Sequence, residues 1–166
     1  MRKRRIFVYP AEEQLTEEAL APLASYITCN LNVQNVHGST HVSGTINGVA
    51  KVSCDGAAGA LALHYSLIRV SPNNNQWAAP SKYNSGKKTI QNNRAVACSA
   101  GPANFQGWAR GEITPPAGYT LVRSGVSSKY GNMNYVACAS SLLAGGDEPT
   151  DSETLTITFA RSDLAG

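Results

Sequence analysis

Acidic side chains are scarce in the body of this chain. Between Cys29 and Ser140 nine basic residues stand against two acidic ones, Asp55 and Glu112, a net of +7. A pair of carboxylates working as acid and base has no ready seat there. Charged residues make up only 15% of the 166 residues, against about 25% in an ordinary soluble domain. No stretch approaches the roughly 18 consecutive apolar residues of a membrane-spanning helix, so no membrane partner is expected. G-x-S-x-G, a phosphate-cradling glycine loop and a C-x-x-C pair are all missing, which removes the local signatures of a nucleophile elbow, a nucleotide site and a zinc site. No enzyme activity, metal or cofactor is expected on these grounds.

Gly, Ser, Thr and Asn are plentiful, and apolar residues recur with a period of two. In "YITCNLNV" the residues Ile27, Cys29, Leu31 and Val33 alternate with polar ones, as on a strand with one buried face. "TINGVAKVSC" puts Ile46, Ala50, Val52 and Cys54 on one side, and "ALALHYSLIRV" does the same for Leu61, Leu63, Tyr65 and Leu67. Near the end, "TLTITFA" alternates Leu155, Ile157 and Phe159 with threonines. The turn signals "DGAAG", "SPNNN", "YNSGKK", "TPPAGYT" and "AGGDEPTD" separate such runs. Short alternating strands between turns predict a mainly β, antiparallel, Ig-like β-sandwich. Four cysteines allow three pairings. Cys29 with Cys54 and Cys98 with Cys138 keeps each bridge local in sequence, and the first two lie on the apolar faces of their strands.

Candidate contact residues are few. His37 and His41 in "HGSTH" are four apart, but glycine replaces the glutamate of H-E-x-x-H and the stretch is not helical, so they read as hydrogen-bonded loop histidines. His64 reads as a surface residue in mid-strand. Exposed aromatics could bind sugar rings or another protein: Trp77 after "NNNQ" and Tyr83 are the possible ligand contacts, together with Lys87 and Lys88 in the turn beside them. Phe105 and Trp108 are expected in the core. The basic body comes without a recognisable nucleic-acid module, and nucleic acid is not an expected partner.

The two ends differ from the body. "MRKRRIFV" resembles the charged start of a secretion signal, yet Pro10, Glu12 and Glu13 stand where an apolar stretch of about 7 to 15 residues should follow. Residues 1–27 are expected to be an N-terminal arm with a strand at 5–9 and a short helix at 11–21, residues 28–140 the β-sandwich, and residues 141–166 a C-terminal arm with one strand. From Ser141 onward a single cation, Arg161, stands against five acidic groups, so the tail could lie on its own basic body or on a neighbouring copy.

Three stretches, "TCNLNVQNVHGSTHVSGTINGVAKVSC", "NNRAVACSAGPANFQGWARGEITPPAGYT" and "YGNMNYVAC", carry a family resemblance. Over about residues 28 to 138 the chain resembles a group of small secreted four-cysteine proteins common in actinobacteria, in its "H-x-STHV-x-GT-x-N" segment, its "NN-x-A-x-x-C" and its "FQGWA" ahead of the fourth cysteine. The resemblance implies a disulfide-bonded β domain and an actinobacterial setting, and no activity or site residues. Members of the group carry ordinary signal peptides and end near the fourth cysteine.

A secreted type of fold flanked by arms suggests a structural protein of a phage particle, such as a capsid decoration or other head or tail surface protein. It would be made in the host cytoplasm, released by lysis, and would contact other virion proteins, copies of itself or host surface polymers. The arms would supply assembly contacts through Ile6, Phe7, Val8, Leu15 and Leu20, and through Leu155, Ile157 and Phe159. A secreted envelope adhesin or glycan-binding module is the alternative, and an inhibitor or small toxin the third possibility.

Overall fold

The computed structural model describes residues 25–39, 43–122, 126–138 and 152–162. Among them, strands follow the sequence alternation closely: β1 (Tyr26–Gln34), β2 (His37–Gly38), β3 (Thr45–Cys54), β4 (Ala60–Ser71), β5 (Asn75–Ala78), β6 (Lys82–Ser85), β7 (Thr89–Ala97), β8 (Ala103–Thr114), β9 (Tyr119–Leu121), β10 (Val126–Tyr130), β11 (Asn134–Val136) and β12 (Ser152–Arg161). They form two antiparallel sheets. In the first, β3 lies between β7 and β1, and β12 lies between β1 and β9, with β2 continuing along β3. In the second, β8 and β4 form the centre, β10 and β11 flank β8, and β5 and β6 flank β4. The predicted two-sheet sandwich is the observed architecture.

The alternating residues meet between the sheets. Leu31, Val33, Ile46 and Val52 from the first sheet and Leu61, Leu63, Leu67 and Phe105 from the second are all buried. Removing such side chains from water is the main force holding two sheets together. Space between β4 and β8 is shared by size: on the inner face Leu63, Tyr65 and Leu67 stand opposite Gly111, Ala109 and Gly107. Tyr65 reaches across to the first sheet, where a methyl group added to Gly48 would collide with its hydroxyl. On Gly107 the added carbon would lie 2.6 Å from the same oxygen and 3.1 Å from Val33. That hydroxyl has no hydrogen-bond partner among the described residues, and burial raises its pKa well above the usual range of tyrosine.

Both disulfides pair as the sequence favoured, Cys29 with Cys54 and Cys98 with Cys138. The first joins residues directly opposite one another on β1 and β3, so it staples neighbours within one sheet, whereas the immunoglobulin bridge crosses between sheets. The second ties the turn after β7 to the segment after β11 and so links the ends of the two sheets.

The C-terminal arm needs correction. β12 pairs with β1 along its whole length, from Tyr26 opposite Ala160 to Gln34 opposite Ser152. Ile157 and Phe159 are buried in the chain's own core, and Leu155 is half-buried against it. These three were expected to serve assembly, but their alternation with threonine is that of any strand with one buried face, and the strand that receives them is β1. The expected strand at 5–9, the helix at 11–21 and the contacts Ile6, Phe7, Val8, Leu15 and Leu20 lie outside the described residues.

The packing around Tyr65 and the Cys29–Cys54 bridge set expectations for stability. Gly48→Ala should cost about 1–3 kcal/mol through overpacking, seen as a lower thermal midpoint. Tyr65→Phe, which removes an unpartnered buried hydroxyl, should be nearly neutral and should recover part of the loss in the double variant. Replacing Cys29 and Cys54 together by alanine should cost about 2–4 kcal/mol, read from urea denaturation.

Candidate functional site

The outer faces of the two sheets differ in chemistry. On the first, Asn and Thr side chains bond across strands: Thr156 Oγ1 donates to Asn30 Oδ1 at 2.9 Å, and Asn32 Nδ2 donates to Thr154 Oγ1 at 3.1 Å. On the second, strand register sets aromatic and ionisable groups in rows. Glu112 on β8 lies between Ala62 on β4 and Val126 on β10. In the next row Arg110 lies between His64 and Ser128, and beyond it Trp108 lies between Ser66 and Tyr130. Tyr83 on β6 is opposite Ala62, and Tyr135 on β11 is opposite Asn104. Tyr83, Tyr130 and Tyr135 are exposed at 70%, 56% and 65%, so one face presents a spread of aromatic rings to solvent.

Within this face three polar side chains form a chain. The His64 ring bonds Ser81 Oγ through Nδ1 at 2.6 Å and Glu112 Oε2 through Nε2 at 2.9 Å. The arrangement fixes the tautomer of the neutral ring. A carboxylate can only accept, so Nε2 must carry the proton, and Nδ1 is left to accept from the serine hydroxyl. Arg110 Nε approaches the same carboxylate oxygen at 3.7 Å, and the Tyr83 ring stands edge-on to the imidazole with centroids 6.2 Å apart.

Ser81 is held by its neighbours. Lys82, the next residue, pairs with Leu63, which brings Ser81 beside His64. The loop is pinned from the first sheet by Asn92 on β7, fully buried, whose Nδ2 donates to Leu63 O at 2.9 Å and Pro80 O at 3.0 Å. A buried amide that satisfies two carbonyls joins the sheets and sets the position of the serine together.

The residues singled out in the sequence do not form one site. Trp77 pairs with Leu67 on the core side of the second sheet, packs against the core, and carries the Arg69 guanidinium 5.6 Å from its ring centroid. Tyr83 lies on the opposite, outer side. Lys87 and Lys88 are exposed in the turn after β6, and their carbonyls accept from Ala58 N and Cys54 N. Trp108, expected in the core, lies on the outer face and is half-buried, while Phe105 is in the core as expected. They stand three positions apart, an odd spacing, and a strand puts such residues on opposite faces. His37 Nδ1 lies 3.2 Å from Asn35 O, and His41 is outside the described residues. No group of three or more His, Cys, Asp or Glu side chains that could hold a metal occurs among the described residues, and no helix there is long and apolar enough to cross a membrane.

The sequence pointed to His64 and Glu112 only as isolated strand residues. Their polar character at outward positions was visible, but their meeting depends on the β4–β8 register. No protein-family model, curated protein or solved structure matches the chain. The molecule is a disulfide-bonded antiparallel β-sandwich with an aromatic face.

Asn92→Ala should destabilise the chain by about 2 kcal/mol or more, since two carbonyls lose their donor; chemical denaturation measures the loss.

Proposed function

We propose that this domain is a binding module that takes surface glycans on the outer face of its second sheet, in the setting of a secreted or particle-borne protein. The observation that carries this reading is the cross-strand pair of Trp108 and Tyr130. It is continued by exposed Tyr83 and Tyr135 and bordered by the hydrogen-bonding groups of Gln106, Arg110 and Ser128. Aromatic faces stack on the apolar faces of sugar rings while neighbouring donors and acceptors bond the hydroxyls. Of the protein classes the sequence suggested, the adhesin or glycan-binding module uses this face directly. Resemblance to the secreted four-cysteine proteins of actinobacteria agrees with an extracellular role.

The particle-accessory reading relied on two arms. One of them is used by the chain's own sheet, so that reading now concerns residues 1–24. A decoration or tail-surface protein would still need an outward face that touches host polymers, and the same aromatic face would serve.

On a glycan array and in pull-down with actinobacterial cell-wall polysaccharide, the protein should bind, and Trp108→Ala or Tyr130→Ala should reduce binding about tenfold or more, a loss near 1.4 kcal/mol. Tyr26→Ala, on the outer face of the first sheet, should leave binding unchanged. Trp77→Ala should lower stability without a specific binding loss. Equal binding by Trp108→Ala and wild type would remove the reading.

A further inference from the structure

We propose that Ser81, His64 and Glu112 form an acyl-transfer centre that hydrolyses carboxylic esters, with Ser81 Oγ as the nucleophile. Nucleophilic catalysis by serine needs a hydroxyl, a base within hydrogen-bond reach, and a third group that orients the base. All three are present, at 2.6 Å from Ser81 Oγ to His64 Nδ1 and 2.9 Å from His64 Nε2 to Glu112 Oε2. The tautomer forced by Glu112 leaves the basic nitrogen facing the serine. Nδ1 faces the hydroxyl and Nε2 the carboxylate, the reverse of the protease arrangement, but either ring nitrogen can take a proton while the other is held.

The fold does not require this chain of bonds. His64 and Glu112 keep 26% and 41% of their side-chain surface open to solvent, and water could satisfy each of them separately. Ser81 is half-buried on an open face, within reach of a substrate. Its position is over-determined: Asn92 holds the Pro80 carbonyl and β6 pairing holds Lys82. Such rigidity is what a reacting group needs and what a solvated loop serine does not.

In the reaction, Ser81 Oγ attacks the ester carbonyl carbon, and an Oγ–C bond forms as the hydroxyl proton passes to His64 Nδ1. The imidazolium keeps its Nε2–H on the Glu112 carboxylate. Collapse of the tetrahedral intermediate breaks the bond to the leaving oxygen, which takes the proton from Nδ1 and departs as the alcohol. Water then attacks the acyl group with Nδ1 as base, the carboxylic acid leaves, and the Ser81 hydroxyl is restored. Water is the only co-reactant. Ser81 and His64 are the catalytic residues, and Glu112 is a positioning residue. The charged groups facing His64 are Glu112 and Arg110 from β8, with the Tyr83 ring from β6.

The full-length, disulfide-bonded chain is treated with a fluorophosphonate probe, which forms an Oγ–P bond with loss of fluoride, and separately with p-nitrophenyl acetate. The expected result is one probe per chain, mapped to Ser81 by peptide mass spectrometry and absent from Ser81→Ala. Labelling and ester hydrolysis should both fall about 100-fold or more in His64→Gln, the scale of a lost general base. Glu112→Gln should slow both by lowering kcat while KM stays unchanged, because a neutral amide holds the imidazolium formed during the reaction less well than the carboxylate at 2.9 Å; a purely structural role would not separate the two constants. Near-ultraviolet circular dichroism confirms that each variant keeps the folded core. Labelling spread over other serines, labelling at Tyr83 in place of Ser81, or undiminished reactivity in His64→Gln would each overturn the proposal. The probe contains no sugar, so the result stands apart from glycan binding.

Discussion

Where β4 runs beside β8, Leu63, Tyr65 and Leu67 face Gly111, Ala109 and Gly107 on the inner side. Large side chains on one strand stand beside small ones on the other, and the room left over is filled from the first sheet: the nearest side-chain atoms to a carbon added at Gly111 belong to Val52 and Leu31. A slip of one residue would turn Trp108, Arg110 and Glu112 into the core and expel Phe105. Desolvating an arginine and a carboxylate there would cost far more than the pairing gains, so the register has one solution. Tyr65 limits it further, because Gly48 and Gly107 both make room for its hydroxyl.

That register also creates the outer face. With inner residues fixed, Glu112, Arg110 and Trp108 must project outward beside Ala62, His64 and Ser66. The hydrogen-bond chain from Ser81 through His64 to Glu112 and the aromatic pair of Trp108 with Tyr130 are both consequences of core packing on the other side of the same strands. Binding and chemistry are proposed for neighbouring rows of one sheet, which follow one another along the strands at steps of two residues, about 7 Å. A face that stacks sugar rings beside a serine poised for acyl transfer would suit an esterified polymer.

Much of the fold was legible because a period of two is local. Ile27, Cys29, Leu31 and Val33 announce a strand and its buried face without reference to any partner. The same logic, applied to the odd spacing of Phe105 and Trp108, already separates them; assigning both to the core followed residue type instead of period. Leu155, Ile157 and Phe159 read correctly as a strand, but alternation gives no address, and their partner could have been any sheet edge. The candidate site was harder still. His64, Ser81 and Glu112 are 17 and 48 residues from one another along the chain, and no motif of fixed spacing can describe them.

The sequence by itself determined that this is a β protein with few charges, which strands bury which side chains, and that Cys29 and Cys54 share an inward face. Those properties come from side-chain alternation and composition, which every residue carries with it. Tertiary structure alone decided that β12 belongs to the first sheet, that Trp77 and Tyr83 take opposite sides of the second, and that a serine, a histidine and a glutamate meet. Strand pairing joins residues far apart in sequence, and its register is chosen by the packing of the whole core, so it is written in no single segment.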